Sequence, residues 1–197
     1  MPFYDPSIEL KTIVAAYQSS GDVGILFDQL KALAKRTGLE QLKSAAHPFR
    51  DMPEVTIPLY ERIVADSPPP GDAQAMVVLA NAYWLTGRGP TAVEQLATRA
   101  REIDPANRGA WHLWALTQAD LRKRVDRWLE VTKRFPADQL ARAALADNAT
   151  SLANDEQDPV ALKLAIATYE SLLAEAPGTA QRLALEESLK TLKSWRL

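Results

Sequence analysis

The 197 residues include no cysteine, which excludes a disulfide framework, a thiolate metal site and a thiol nucleophile. A net charge of −2 argues against a general affinity for nucleic acid or membrane surfaces. The hydrophobic share of 47% is ordinary for a packed chain, and the 13 prolines against 8 glycines suit short helices broken at intervals.

Asp5-Pro6 reads as a helix cap followed by proline at a first helical position. Leu10, Ile13, Val14 and Tyr17 then share one helical face. Ser20-Gly21-Asp22 breaks that helix. A second follows with an apolar stripe of Val23, Leu26, Phe27, Leu30 and Leu33, ending at Thr37-Gly38. A short helix is expected from Leu39 to His47, stopped by Pro48, and another from about Pro53 to Asp66. Pro58 should kink the latter or mark its start. Pro68-Pro69-Pro70-Gly71 is the clearest linker, so residues 1–70 form an expected N-terminal helical segment.

From Ala73 to Asn107 the chain reads as two amphipathic helices joined by a glycine-containing turn and stopped by a proline. The first carries Leu79, Ala80 and Tyr83, then Gly87; the second carries Ala92, Leu96 and Ala100, then Pro105. This stretch resembles the tetratricopeptide repeat, a helix–turn–helix unit of roughly 34 residues. Ala100 and Pro105 arrive one residue late, which places an extra residue in Arg88-Gly89-Pro90 or in the second helix. A second unit, 108–138, keeps Trp111, Trp114 and Ala115, then Trp128 and Val131. A third, 139–178, keeps Leu145 and Ala146, inserts a polar loop at Asn154–Asp158, and continues with Ala165, Tyr169 and Leu172. A last helix, 179–195, with Leu183, Leu185, Leu189 and Leu192, would cover the open end.

The resemblance implies an all-α, right-handed superhelix of antiparallel helical hairpins, with the repeat region at 71–197. It also implies a non-catalytic scaffold or adaptor that holds a peptide or partner helix in a concave groove. By family register that groove is lined by Gln74, Val77, Asn81, Trp84, Leu85, His112, Leu116, Asp120, Asp147 and Ser151. Asn81 stands where adaptor repeats place an asparagine that bonds the bound peptide. Val77, Leu140 and Ala144 stand where carboxylate-clamp adaptors carry basic residues, which argues against recognition of a free C-terminal carboxylate. The alternatives are a structural subunit of a larger complex and an enzyme-associated subunit with a substrate groove. Only His112, Asp120 and Asp147 lie near one another by register, too few titratable groups to expect an enzyme.

Residues 108–138 carry seven basic against four acidic residues. Arg122, Lys123, Arg124 and Arg127 lie on the second helix of a unit, as a solvated face or a patch for an acidic partner. Nucleic acid is not expected there, because the rest of the chain is acidic. The sequence holds no phosphate loop, zinc-helix motif or serine-nucleophile motif, and neither catalytic residues, cofactor nor metal is expected. The opening lacks a basic region followed by an apolar run, and Ala75 to Leu85 is too short to span a bilayer. The expected setting is the cytoplasm, with a protein or peptide as partner.

Overall fold

The structure is a computed structural model that describes residues 4–196. Among these the regular elements are helices throughout. The first four are α1 (Pro6–Ser20), α2 (Val23–Arg36), α3 (Leu39–Ala46) and α4 (Pro53–Asp66), with a short 3-10 turn at His47–Phe49. There follow α5 (Ala73–Leu85), α6 (Pro90–Ile103), α7 (Arg108–Leu116), α8 (Leu121–Arg134), α9 (Gln139–Glu156), α10 (Pro159–Glu175) and α11 (Thr179–Ser194). The chain divides into two compact units, one reaching Leu113 and the other beginning at Trp114.

Aspartates set most of the helix starts. The Asp5, Asp22, Asp72, Asp120, Asp138 and Asp158 carboxylates each accept a backbone N–H from the first turn of the helix that follows. Each satisfies a donor that has no partner inside its helix. Pro6, Pro53, Pro90 and Pro159 sit at first helical positions, where the missing N–H is harmless. Pro58 lies inside α4, so it marks neither end of that helix.

In the first unit, α1 to α4 close around Leu10, Leu26, Leu30, Leu33, Leu42, Val55, Leu59 and Ile63, all buried. The cluster continues without a break into Ala75, Leu79 and Ala82 of α5. Val23 departs from its expected place in the α2 stripe and is exposed, because it sits at the helix's first residue, ahead of the buried Leu26 and Leu30.

The first hairpin settles where the extra residue lies. Gly87 and Gly89 take φ values of 69° and 93°, which side-chain-bearing residues avoid, and α6 begins at Pro90. The buried face of α6 is Val93, Ala97 and Ala100. Ala92 and Leu96, expected on the hairpin contact, are only half-buried. The extra residue is in the turn, and it moves the α6 contact face one position along.

The second unit has a continuous set of small contacts. Ala141, Ala146, Ala149 and Ala153 of α9, which packs on both α8 and α10, and Ala161 and Ala165 of α10 are buried. Asn154, Asp155 and Glu156, expected in a loop, form the last turn of α9 instead. The break is confined to Gln157, in the left-handed region at φ 53°, and to Asp158, which caps α10. In α11 only Leu189 and Leu192 are buried. Leu183, expected on the covering face, is 61% exposed because it falls in the helix's first turns, ahead of that contact.

Candidate functional site

The residues expected to line a groove divide between the two units, and each unit presents its own surface.

In the first unit, α5 buries Met76, Leu79 and Ala80 and leaves Asn81, Trp84 and Leu85 exposed. The spacing of those three, i, i+3 and i+4, puts them on one stripe of the helix. Trp84 is 40% exposed and Leu85 62%. Polar ties hold the helix beneath them. The Asp72 carboxylate accepts the Ala75 N–H and pairs with Lys43 of α3 at 3.0 Å. Burial pushes the Asp72 carboxyl up, but the Ala75 amide and the Lys43 ammonium outweigh it and hold the pKa below the usual value. At the other end of α5, the Tyr83 hydroxyl donates to Glu61 of α4 at 2.7 Å, and Arg88 donates to the same carboxylate. Burial and that carboxylate raise the Tyr83 pKa.

Two expected groove residues have contacts within this unit. Gln74 accepts a hydrogen bond from the Asn107 amide at 3.2 Å. Val77 is half-buried over Gly109 of α7, where a Cβ would lie 2.9 Å from Val77 Cγ1. Glycine at 109 is therefore what lets α7 approach α5. His112 is half-buried. Trp111, expected in the hairpin core, is also only half-buried: its indole N–H donates to the Pro105 carbonyl and Arg101 covers its ring at 4.6 Å. That indole donor needs a partner, and the carbonyl next to the turn supplies it.

In the second unit Leu116 is exposed, while Asp120 caps α8 by accepting the Lys123 N–H at 2.9 Å. The Asp147 carboxylate accepts the Tyr169 hydroxyl at 2.5 Å, and the Ser151 hydroxyl donates to the Asp147 carbonyl at 3.1 Å. Burial, with the Asp147 carboxylate behind it, pushes the Tyr169 pKa up to about 12. Asp147 and Tyr169 stand in a cleft of about 330 Å³ between α9, α10 and α11, with Leu140, Leu185 and Ser188 among its other walls. The family register places Asp147 in a groove, but it gives neither its bond to Tyr169 nor the wall that α11 supplies. A further sequence signal is Leu140, an apolar side chain next to an aspartate-capped helix start and off the alanine face.

The basic residues of α8 are largely engaged within the unit. Arg122 reaches Glu156 and Asp158 at 2.5 and 2.8 Å. Arg124 donates to Asn148 and to the Gln118 carbonyl, and Arg127 donates to the Trp114 carbonyl while lying over the Trp114 ring. Of the four expected patch residues, Lys123 is the exposed one without such a tie. Among the described residues no three His, Asp or Glu side chains gather as metal ligands, and no helix is long and apolar enough to cross a membrane.

No family model matches the chain, and no curated protein matches it. Solved structures do. A MamA protein superposes with a TM-score of 0.57 at 16% identity, over 89% of this chain and 97% of the other. A thermophilic TPR protein of Thermus thermophilus, TTC0263, gives a TM-score of 0.55 at 18% identity, over 96% of this chain and all of the other. A second MamA structure gives 0.55 at 16% identity, over 79% and 94%. With its succession of antiparallel helical hairpins, the chain has the all-α fold of tetratricopeptide-repeat proteins.

Proposed function

We propose that this protein is a non-catalytic interaction scaffold that binds a peptide or a helix of a partner protein on the outward stripe of α5. The observation that carries the reading is the exposure of Trp84 and Leu85 beside Asn81 on a helix whose opposite face is fully used for packing. A tryptophan presented on a fixed helix is a typical anchor for a partner, and an asparagine amide beside it can both donate to and accept from a peptide backbone. The shifted titratable groups fit the same reading. Asp72 and Asp158 cap helices, and Arg142 and Glu175 tie α9 to α10. Each shift thus has a structural cause. The internal pairing of Arg122, Arg124 and Arg127 favours a protein partner over nucleic acid.

The test is a photo-crosslinking amino acid at Asn81, used in source cells, followed by titration of the captured partner. Trp84→Ala and Asn81→Ala should each weaken that partner at least about tenfold, near 1.4 kcal/mol. Unchanged affinity in both variants would move the binding surface off α5.

A further inference from the structure

The cleft at Asp147 has a neighbour of about 390 Å³, and Tyr169, Ala184 and Ser188 wall both. Each is in the size range of ligand pockets, about 300–1,000 Å³. Their walls are mainly apolar or aromatic, with Leu140 and Leu185 on one side of Tyr169 and Trp195 on the other. Among the described residues, the formally charged ones lining them are Asp147 and Glu187, both acidic. The cations of these helices are directed elsewhere: Arg142 to Glu175, Lys193 to Glu170, and Arg182 to the Leu173 carbonyl. Lys163 and Lys190 line neither cleft. Tyr169 hydrogen-bonds to one oxygen of Asp147, which leaves the other available.

From this charge complementarity we infer that the paired clefts receive a lysine or arginine side chain of a partner segment, with apolar side chains of that segment against Leu140, Leu185 and Trp195. The inference rests on the scaffold reading and adds the chemistry of the partner. A cation between a carboxylate and aromatic faces gains from both the ion pair and the ring quadrupole. The bond from Tyr169 supports this. Its hydroxyl donates to one oxygen of Asp147 and holds that carboxylate at the wall of the cleft.

The probes are four mixtures of nonapeptides, with random apolar residues flanking a central Lys, Arg, Leu or Glu, captured on the full-length protein and quantified. The Lys- and Arg-centred mixtures should be retained at least about fivefold over the others, and the preference should vanish in Asp147→Asn with Glu187→Gln. Asparagine still offers an acceptor to Tyr169, so the variant keeps the tie between α9 and α10, and matching thermal melts confirm that it is folded. No preference for a cation, or a preference that survives in the double variant, overturns the inference. Retention that is lost in Trp84→Ala but kept in the double variant also overturns it, while leaving the scaffold reading intact. The converse pattern keeps the cleft and removes α5.

Discussion

The α1–α4 bundle and the α9–α10 hairpin solve burial in opposite ways. The bundle fills its centre with volume: Leu10, Leu30, Leu33, Leu42 and Leu59 are all at 0% exposure. The hairpin seals many alanines, and Ala141, Ala146, Ala149, Ala153 and Ala165 are equally buried. Alanine on both sides of a contact requires the helix backbones to approach closely, which leaves no room there for larger side chains. Larger side chains complete the core elsewhere on these helices, where Leu145, Leu152 and Leu172 are buried, while Leu140 and Val160, at the second residue of each helix, are 69% and 74% exposed. Both regions leave apolar side chains outside, Ile8 and Ile25 on the bundle as well as Leu140 and Val160 on the hairpin, so what separates them is the size of the side chains sealed within.

The largest expected effect tests the first half of that contrast. Leu30→Ala should cost about 2–5 kcal/mol, as truncation of a sealed core leucine does, whereas Leu140→Ala should stay within about 0.5 kcal/mol. Urea unfolding of both variants measures this, and equal losses would erase the distinction between the two leucines.

Next comes overpacking. Ala149→Leu should cost about 1–3 kcal/mol, because the alanine contact has no space to yield. The same substitution sharpens the register of α6. Ala97→Leu should destabilise the protein within that range and Ala92→Leu distinctly less, since Ala97 is at 0% exposure and Ala92 is half-buried. The reverse order in thermal melts would put the extra residue inside α6 rather than in the turn.

These alanines show what the sequence disclosed and what it withheld. The helices and their hairpin pairing were legible because aspartate caps, prolines and apolar periodicity are local signals. The contact face of α6 was not, because a one-residue insertion in the Gly87–Gly89 turn leaves every residue type in place and rotates the face by one position. Asn154–Glu156 read as loop because they are polar, yet they extend an exposed last helical turn at only a small propensity cost. Trp84 and Leu85 were recognisable as outward-facing once the register of α5 was fixed, and they are exposed. Asp147 was legible by the family register, but the cleft around it was not. It needs Tyr169, twenty-two residues on, to reach back across the hairpin, and no local pattern announces that contact.

Two of the aspartates that bind across helices, Asp72 and Asp147, extend the comparison to pH. Asp72 caps α5 and pairs with Lys43, and its folded pKa is depressed. A depressed carboxylate gives stability that is present above its unfolded value, near 3.9, and is lost as the pH falls through the folded value. Asp72→Ala should cost about 1 kcal/mol at neutral pH, the usual worth of a cap. It should also flatten the acid limb of the stability profile below about pH 4. An acid limb identical to that of the parent would mean that another carboxylate sets it.

The smallest effect is at Tyr169, and it lies at the other end of the pH scale. Its hydroxyl donates to Asp147 at 2.5 Å and its pKa is pushed up to about 12, by burial first and by the neighbouring carboxylate second. Because the folded value lies above the unfolded one, near 10, the contribution of this group is fully present below about pH 10. It is lost as the pH rises through the folded value. Tyr169→Phe removes one hydrogen bond from a pair that solvent partly screens, so the loss at neutral pH should be about 0.5 kcal/mol. The spectroscopic signature is sharper than the energy. Tyr60 and Tyr83 are also raised and Tyr4 is lowered, so the total phenolate absorbance is a composite. The difference between the parent and Tyr169→Phe isolates one group, and its midpoint should lie near 12. A midpoint near 10, the ordinary tyrosine value, would mean that the hydroxyl does not hold Asp147. The carboxylate would then be free to swing out of the cleft, and the close alanine contact of α9 with α10 would have to stand without that tie.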